Sequence, residues 1–385
     1  MTTTTSLSPF PPSSPASPDL PAQPRSWPSK QQLLTSLPAD ITEKNVARAW
    51  GTLSFSLSTS LLAYGAGCFI PLQWNLAPVW LVYAVVAGTL AGGCWVIAHE
   101  CGHNAFHPNQ SIENGVGLVL HSLLLVPYFS WQRSHAVHHS HCNHLEAGET
   151  HVPSQGASSW GIFTDDLKRI LGAPAYGAVS ILVHLLLGWP LYLLFGITGG
   201  PEHGFPTSHF INSSPFNSGR RQLFPGKWKG LMQISNLGMI VVTALLVVWA
   251  SQTSILRVLC VYGLPYLVIN AWLVTYTWMQ HTDPLIPHFS EADWDWARGA
   301  LQTVDRPYGP LLNLLHHGIG STHVVHHLNP RIPHYNAWRA TEILRKAFPD
   351  HVRVDSTPIH RALWKVGCSC SYVTRNDQDG GYYYS

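Results

Sequence analysis

Three short stretches concentrate histidine at spacings suited to metal chemistry. In His99-Glu100-Cys101-Gly102-His103 two imidazoles stand four residues apart, which on a helix is one turn along one face. His135-Ala136-Val137-His138-His139 presents three at i, i+3 and i+4, and His323-Val324-Val325-His326-His327 repeats that spacing nearly two hundred residues later. Neutral imidazole is a favoured ligand of transition metals. Eight histidines exceed the three or four ligands a single zinc takes, whereas two ions taking four or five nitrogens each would use about eight to ten. A dinuclear, nitrogen-rich centre is therefore expected. The carboxylate-rich alternative needs paired Glu-x-x-His motifs, and Glu100 to His103 is the only match. Clustering these imidazoles without metal would leave unpaired donors and mutual repulsion on protonation.

Two further histidines are intermediate cases. His281 follows directly on an apolar run, and His317 stands six residues before His323 with His316 beside it. Isolated histidines such as His121, His151, His209, His288 and His334 read as ordinary surface or capped residues.

The elements that position these boxes are apolar. Of 385 residues only 11% are charged and 46% are hydrophobic, against about 25% charged in a soluble domain. A net charge of +2 gives no basic excess for gripping phosphate backbones. The odd number of cysteines, seven, several inside apolar runs, argues for a reducing compartment rather than a disulfide framework. Gly51 to Ala98 holds no charged residue or histidine, room for two spans of about 20 residues, at 51–70 and 77–97. Leu231 to Gln280, with Arg257 its only charge, holds two more, 231–250 and 256–279. A fifth apolar segment, Tyr176–Thr198, poses a parity problem, because three crossings between the second and third boxes would put them on opposite sides of the membrane. It is expected to be an interfacial or half-inserted helix, interrupted by Gly188 and Pro190. Arg220, Arg221, Lys227 and Lys229 lie in the loop on the box side, and the opposite turns are uncharged, so the positive-inside rule places the boxes in the cytoplasm. Residues 1–40, rich in Ser, Thr and Pro, are expected to be a disordered tail, residues 41–360 the folded body, and 361–385 a C-terminal tail. The fold class expected is an all-α integral membrane protein. It has four transmembrane helices in two hairpins plus interfacial helices, and a cytosolic helical cap holding a histidine-rich di-iron site.

The segments 98–106 (AHECGHNAF), 131–140 (WQRSHAVHHS) with 148–153 (GETHVP), and 323–337 (HVVHHLNPRIPHYNA) closely resemble the three histidine boxes of membrane fatty-acyl desaturases. Residues 278–309 resemble the segment before the third box in the microsomal delta-12 (oleate) branch of plants and algae. The resemblance covers about residues 35–360. It implies two iron ions, O2 as co-substrate, and an acyl chain esterified to membrane lipid as substrate, oleoyl converted to linoleoyl. The implied iron ligands are His99, His103, His135, His138, His139, His281, His323, His326 and His327, with His317 a further probable one. Ala98 matches the residue that goes with plain desaturation in this branch. Asn104 and Asp283 depart from the histidines usual in plant relatives, and Asn329-Pro330-Arg331 replaces a more apolar stretch. The chain lacks a His-Pro-Gly-Gly haem motif, so electrons are expected from a separate donor, cytochrome b5 with its NADH reductase at the endoplasmic reticulum, or ferredoxin if the protein is plastidial. The Arg-poor tail is a weak transit peptide, which favours the endoplasmic reticulum.

An omega-3 desaturase or a fatty acyl hydroxylase would share the fold and boxes. His99-Glu100-x-x-His103 also matches the zinc-protease motif, but the later apolar run offers no carboxylate as third ligand and the paired boxes go unexplained. A metal transporter would need polar groups within the spans, and these are nearly absent.

Overall fold

The computed structural model describes residues 26–384; residues 1–25 of the expected tail lie outside the described residues. Helices follow in the order α1 (Lys30–Thr35), α2 (Val46–Cys68), α3 (Ala77–Gly102), α4 (Gln110–Leu123), α5 (Tyr128–Ser140), α6 (Ser159–Leu171), α7 (Ala173–Val183) and α8 (Trp189–Phe195). The second half adds α9 (Lys227–Gln252), α10 (Ile255–Val258), α11 (Leu264–His281), α12 (Trp296–Leu301), α13 (Gly309–Leu315), α14 (His323–Leu328), α15 (His334–Ala347) and α16 (Ile359–Ser369). A small antiparallel hairpin, β1 (Val373–Arg375) with β2 (Tyr382–Tyr384), closes the chain.

Two long hairpins form the membrane body. Helices α2 and α3 run antiparallel: Gly67 of one abuts Tyr83 of the other, Ser60 reaches Cys94, and Ser56 lies against Gly93. The α9 helix turns back into the α10–α11 rod, and Arg257 at that turn donates to the Ile70 carbonyl at 2.6 Å. Both hairpin turns thus meet at the end away from the histidines. Close approach of α3 to α11 depends on Gly88, where a Cβ would fall 2.6 Å from the Pro265 carbonyl oxygen. Beside it, the Trp272 indole donates to Thr89 at 2.9 Å.

Length and apolar composition alone pick a slightly different set of spans. Among the described residues four segments qualify: Trp74–Gly102, Ala173–Phe195, Lys227–Gln252 and Ile255–His281. Helix α2 has the length, 23 residues, but Ser54, Ser56, Ser58, Thr59 and Ser60 lower its hydropathy, and it enters the bundle as partner of α3. Ala173–Phe195 is apolar enough, yet both its ends approach elements on the histidine side. Gly177 packs on Cys368 of α16, and the Phe195 carbonyl accepts from the Thr207 amide at 3.0 Å. Its middle lies across the last turns of α11, with the His184 ring flat on Trp278 at 4.1 Å. The expected interruption at Gly188 and Pro190 is a π-turn, His184–Gly188. It absorbs the proline without breaking the rod. Helices α4 and α5 form a second bent element, turning through 105°.

Two expected boundaries are corrected. Within the expected N-terminal tail, residues 30–35 form α1, closed by a Ser29/Gln32 capping box, and Leu33 is fully buried. Residues 361–385 are not a tail as far as 384: α16 packs along α7, and Val373, Tyr383 and Tyr384 are buried. An amphipathic face spanning Ala362 and Val366 drives this docking. All seven cysteines are free.

Candidate metal centre

The ends of α3, α5 and α11 meet α14 at one level, each bringing its histidines inward. From α3 comes His99 and from its C-cap His103, from α5 His135, His138 and His139, from α11 His281, and from α14 His323, His326 and His327. They sort into two groups. In the first, one ring nitrogen from each of His99, His103, His135, His139 and His326 lies within 4.8 Å of all the others. The second joins His138, His281 and His327 in the same way, and His323 enters it through a 3.0 Å approach of its Nε2 to that of His281.

Helix geometry explains the sorting. The i and i+4 imidazoles of the second box, His135 and His139, serve the first group, and the i+3 residue His138 turns to the second. The third box is the mirror case: His323 and His327 serve the second group and His326 the first. Residues i and i+3 lie to either side of one helical face, so each repeated box spans two adjacent sites. The His139 and His327 rings stack at 4.2 Å where the groups touch.

The donor set fits metal ions. Two nitrogens about 2.1 Å from one ion at right angles stand about 3.0 Å apart. The Nε2 atoms of His99 and His135 are separated by 3.0 Å, those of His139 and His135 by 3.2 Å, and those of His138 and His281 by 3.2 Å. Ring nitrogens of His103, His326 and His327 are buried without a hydrogen-bond partner, a loss that coordination would relieve. Burial, reinforced by the neighbouring imidazoles, holds His323 and His327 well below the usual histidine range, and burial lowers His326 to about 3. All three are therefore neutral with lone pairs available.

Outer contacts orient these rings. Trp131 stacks on His135 at 4.5 Å and Trp95 on His99 at 5.5 Å. The Glu100 carboxylate takes the His334 backbone amide at 2.5 Å and lies 2.7 Å from His334 Nδ1. Asp305 accepts the Val324 amide at 2.9 Å and pairs with Arg345 at 2.8 Å, fixing the start of α14. Asp283 partners the fully buried Arg306 and also Lys365, both at 3.2 Å. The departure at this position therefore makes an ion-pair hub. Asn104 adopts a left-handed backbone, φ 57°, at the turn after α3.

All nine box and post-span histidines come together. The structure does not bring His317 into either group: its Nε2 sits 3.0 Å from Ser56 Oγ and its ring packs on His334 at 4.7 Å. Three features of the site carry little local signature in the sequence. His334 is an outer partner of the first box, His151 lies against the second group, and Glu149 anchors a buried network. The Tyr192 hydroxyl lies 2.8 Å from both Glu149 oxygens and 3.0 Å from Ser134 Oγ, and His209 Nε2 is 3.0 Å from the same Ser134 oxygen. Only the acidic residue of GETHVP, adjacent to the second box, hinted at this network.

A cavity of about 390 Å³ opens beside the groups. Apolar side chains of α6, α7, α8 and α11 wall it, and His135, Trp95, Trp131 and His151 form its inner end. Tyr384 and Cys370 of the folded C-terminal segment close one side.

A helical membrane bundle with two adjoining histidine groups that could each hold a metal ion, and an apolar cavity beside them, fits the class of integral-membrane metal-binding enzymes. The family described as fatty acid desaturase matches residues 78–358, and the chain belongs to that family. The omega-6 fatty acid desaturase, endoplasmic reticulum isozyme 1, of Glycine max is 38% identical over 360 residues, 92% of this chain and 89% of that protein. The delta(12)-fatty-acid desaturase of Arabidopsis thaliana is 37% identical over 366 residues, 92% of this chain and 90% of that one. The oleoyl-12-hydroxylase of Ricinus communis is 38% identical over 345 residues, 89% of this chain and 85% of that one.

Proposed function

We propose that the chain is an acyl-lipid delta-12 desaturase converting oleoyl to linoleoyl lipid, with two iron ions held by the five- and four-histidine groups. The observation that carries this reading is the joining of the two groups to an apolar cavity whose inner wall includes His135. Two irons supply O2-dependent one-electron chemistry, the only kind suited to an unactivated methylene pair that no side chain can deprotonate. The chain's own work is placement and exclusion. The nine imidazoles hold the ions, and Trp95 and Trp131 pack the inner end of the cavity against water. The walls of α7, α8 and α11 fix which carbons lie beside the groups.

Electrons come from a separate donor, cytochrome b5 with its NADH reductase. The boxes face the cytosol of the endoplasmic reticulum, a placement supported by the basic loop. Arg221 approaches His141 at 3.2 Å and Arg133 donates to the Leu223 carbonyl at 3.0 Å, so this loop shares the side of the boxes.

Expression in yeast that makes oleate but no diunsaturated acids tests the assignment. Linoleate in total lipid is the expected product. Accumulated, iron-loaded protein with no linoleate overturns it. The similarity to the Ricinus communis hydroxylase favours one second reading, 12-hydroxylation, which the same lipid extract would reveal as hydroxylated oleate.

A further inference from the structure

The two groups are unequal. Five imidazoles compose the first, whereas His138, His281, His323 and His327 give the second only four. A redox metal site that activates a small molecule keeps a position open for it, and the four-histidine group is the one with room.

His151 stands beside that group. Its ring lies parallel to His281, planes 6° apart and centroids 5.4 Å apart, and 6.3 Å from His138. It also lines the cavity. Its backbone is left-handed, φ 56°, a conformation costly for a residue with a side chain and one that collects at functional sites. Hydrogen bonds on both sides hold this turn: the Val152 amide donates to the Thr198 carbonyl at 3.1 Å, and the Thr150 and Thr198 hydroxyls meet at 2.9 Å. No group among the described residues hydrogen-bonds either ring nitrogen of His151. The ring is half-buried and lines the cavity, so a small polar ligand entering there can reach its nitrogens, whereas an acyl chain offers them no hydrogen bond.

We propose that His151 is a positioning residue that hydrogen-bonds the small non-protein ligand, an oxygen donor of the class of water and dioxygen, completing the four-histidine group. This rests on the di-iron reading above. The nitrogens of His151 stay outside the coordinating set, and its strained turn fixes the ring at the seam between cavity and metal.

Azide, a small anionic stand-in for such a ligand, serves as the probe. The oxidised full-length protein and its His151→Phe, His151→Gln and His151→Leu variants are titrated in detergent, with iron per chain measured on the same samples. All are expected to hold two irons. His151→Phe and His151→Leu should weaken azide binding about tenfold, the equivalent of one lost hydrogen bond. His151→Gln, which keeps a donor, should come back to within about threefold of the parent. If the aromatic variant fails to fold, the Gln and Leu pair carries the comparison. Unchanged azide affinity in the Phe or Leu variant overturns the proposal, and so does loss of one iron, which would make His151 a ligand. A parent protein holding fewer than two irons instead refutes the di-iron reading itself, before any variant is compared.

Discussion

Glu100 and His334 are joined twice, through the His334 amide at 2.5 Å and its Nδ1 at 2.7 Å, although 234 residues separate them. The pair ties the first box on α3 to the start of α15, and it commits the carboxylate that a zinc-protease reading would need as a base. Glu100→Ala should leave a half-buried imidazole and amide without partners, destabilising the protein by about 2–3 kcal/mol. Thermal unfolding in detergent measures this; a stability equal to the parent would show that the contact contributes nothing.

The division into groups of five and four imidazoles, proposed above as two ligand sets, predicts selective metal loss. Substituting His326 or His138 by Ala removes one ligand from one group, so iron should fall to one ion or fewer per chain, with linoleate formation abolished. Iron analysis of purified variants beside product analysis decides it. Full iron with normal product would remove either residue from the ligand set.

His317 gives the contrasting case. Engaged with Ser56 and packed on His334, it lies outside both groups, so His317→Gln should retain two irons while lowering stability. Loss of an iron in that variant would return His317 to the ligand set.

Burial holds His209 and His317 to about 3, and His326 likewise, against an unfolded value of 6.5. Each therefore stays neutral in the folded state while the unfolded chain takes up protons. Stability from this source is complete above pH 6.5 and declines as pH falls from there toward 3. The unfolding temperature of the metal-free protein should drop between pH 7 and pH 5. A flat profile across that interval contradicts the burial of these rings.

Glu149 works in the opposite sense. Burial pushes its carboxyl up to about 8, opposed by the Tyr192 hydroxyl, so the folded acid is neutral where the unfolded one has ionised. Its contribution is complete below pH 4.5 and fades as pH rises to 8. Glu149→Gln keeps a hydrogen-bonding partner for Tyr192 and cannot ionise. It should match or exceed the parent's stability at pH 8, and a lower unfolding temperature there would show that the carboxyl itself is needed.

Much of this protein is local in origin and therefore legible without coordinates. The histidine boxes announce themselves because imidazoles at i, i+3 and i+4 share a helical face, and the hairpins because a run such as Gly51–Ala98 without charge has no stable place in water. Parity argued for an interfacial Ala173–Phe195, whereas its length and apolar composition alone qualify it as a span.

Other features depend on which distant segments touch, and no local pattern encodes that. Which imidazole joins which group is set by how α5 and α14 face each other, so the repeated box splits in opposite senses at its two occurrences. His334 and His151 looked like isolated histidines because their partners, Glu100 and His281, are far away in the chain. The residues after 360 looked like a tail because α16 buries a face only one helix wide and β1 and β2 are three residues each. Their order comes from docking against α7 and the cavity, since burial against a preformed surface, rather than intrinsic propensity, is what stabilises elements so short.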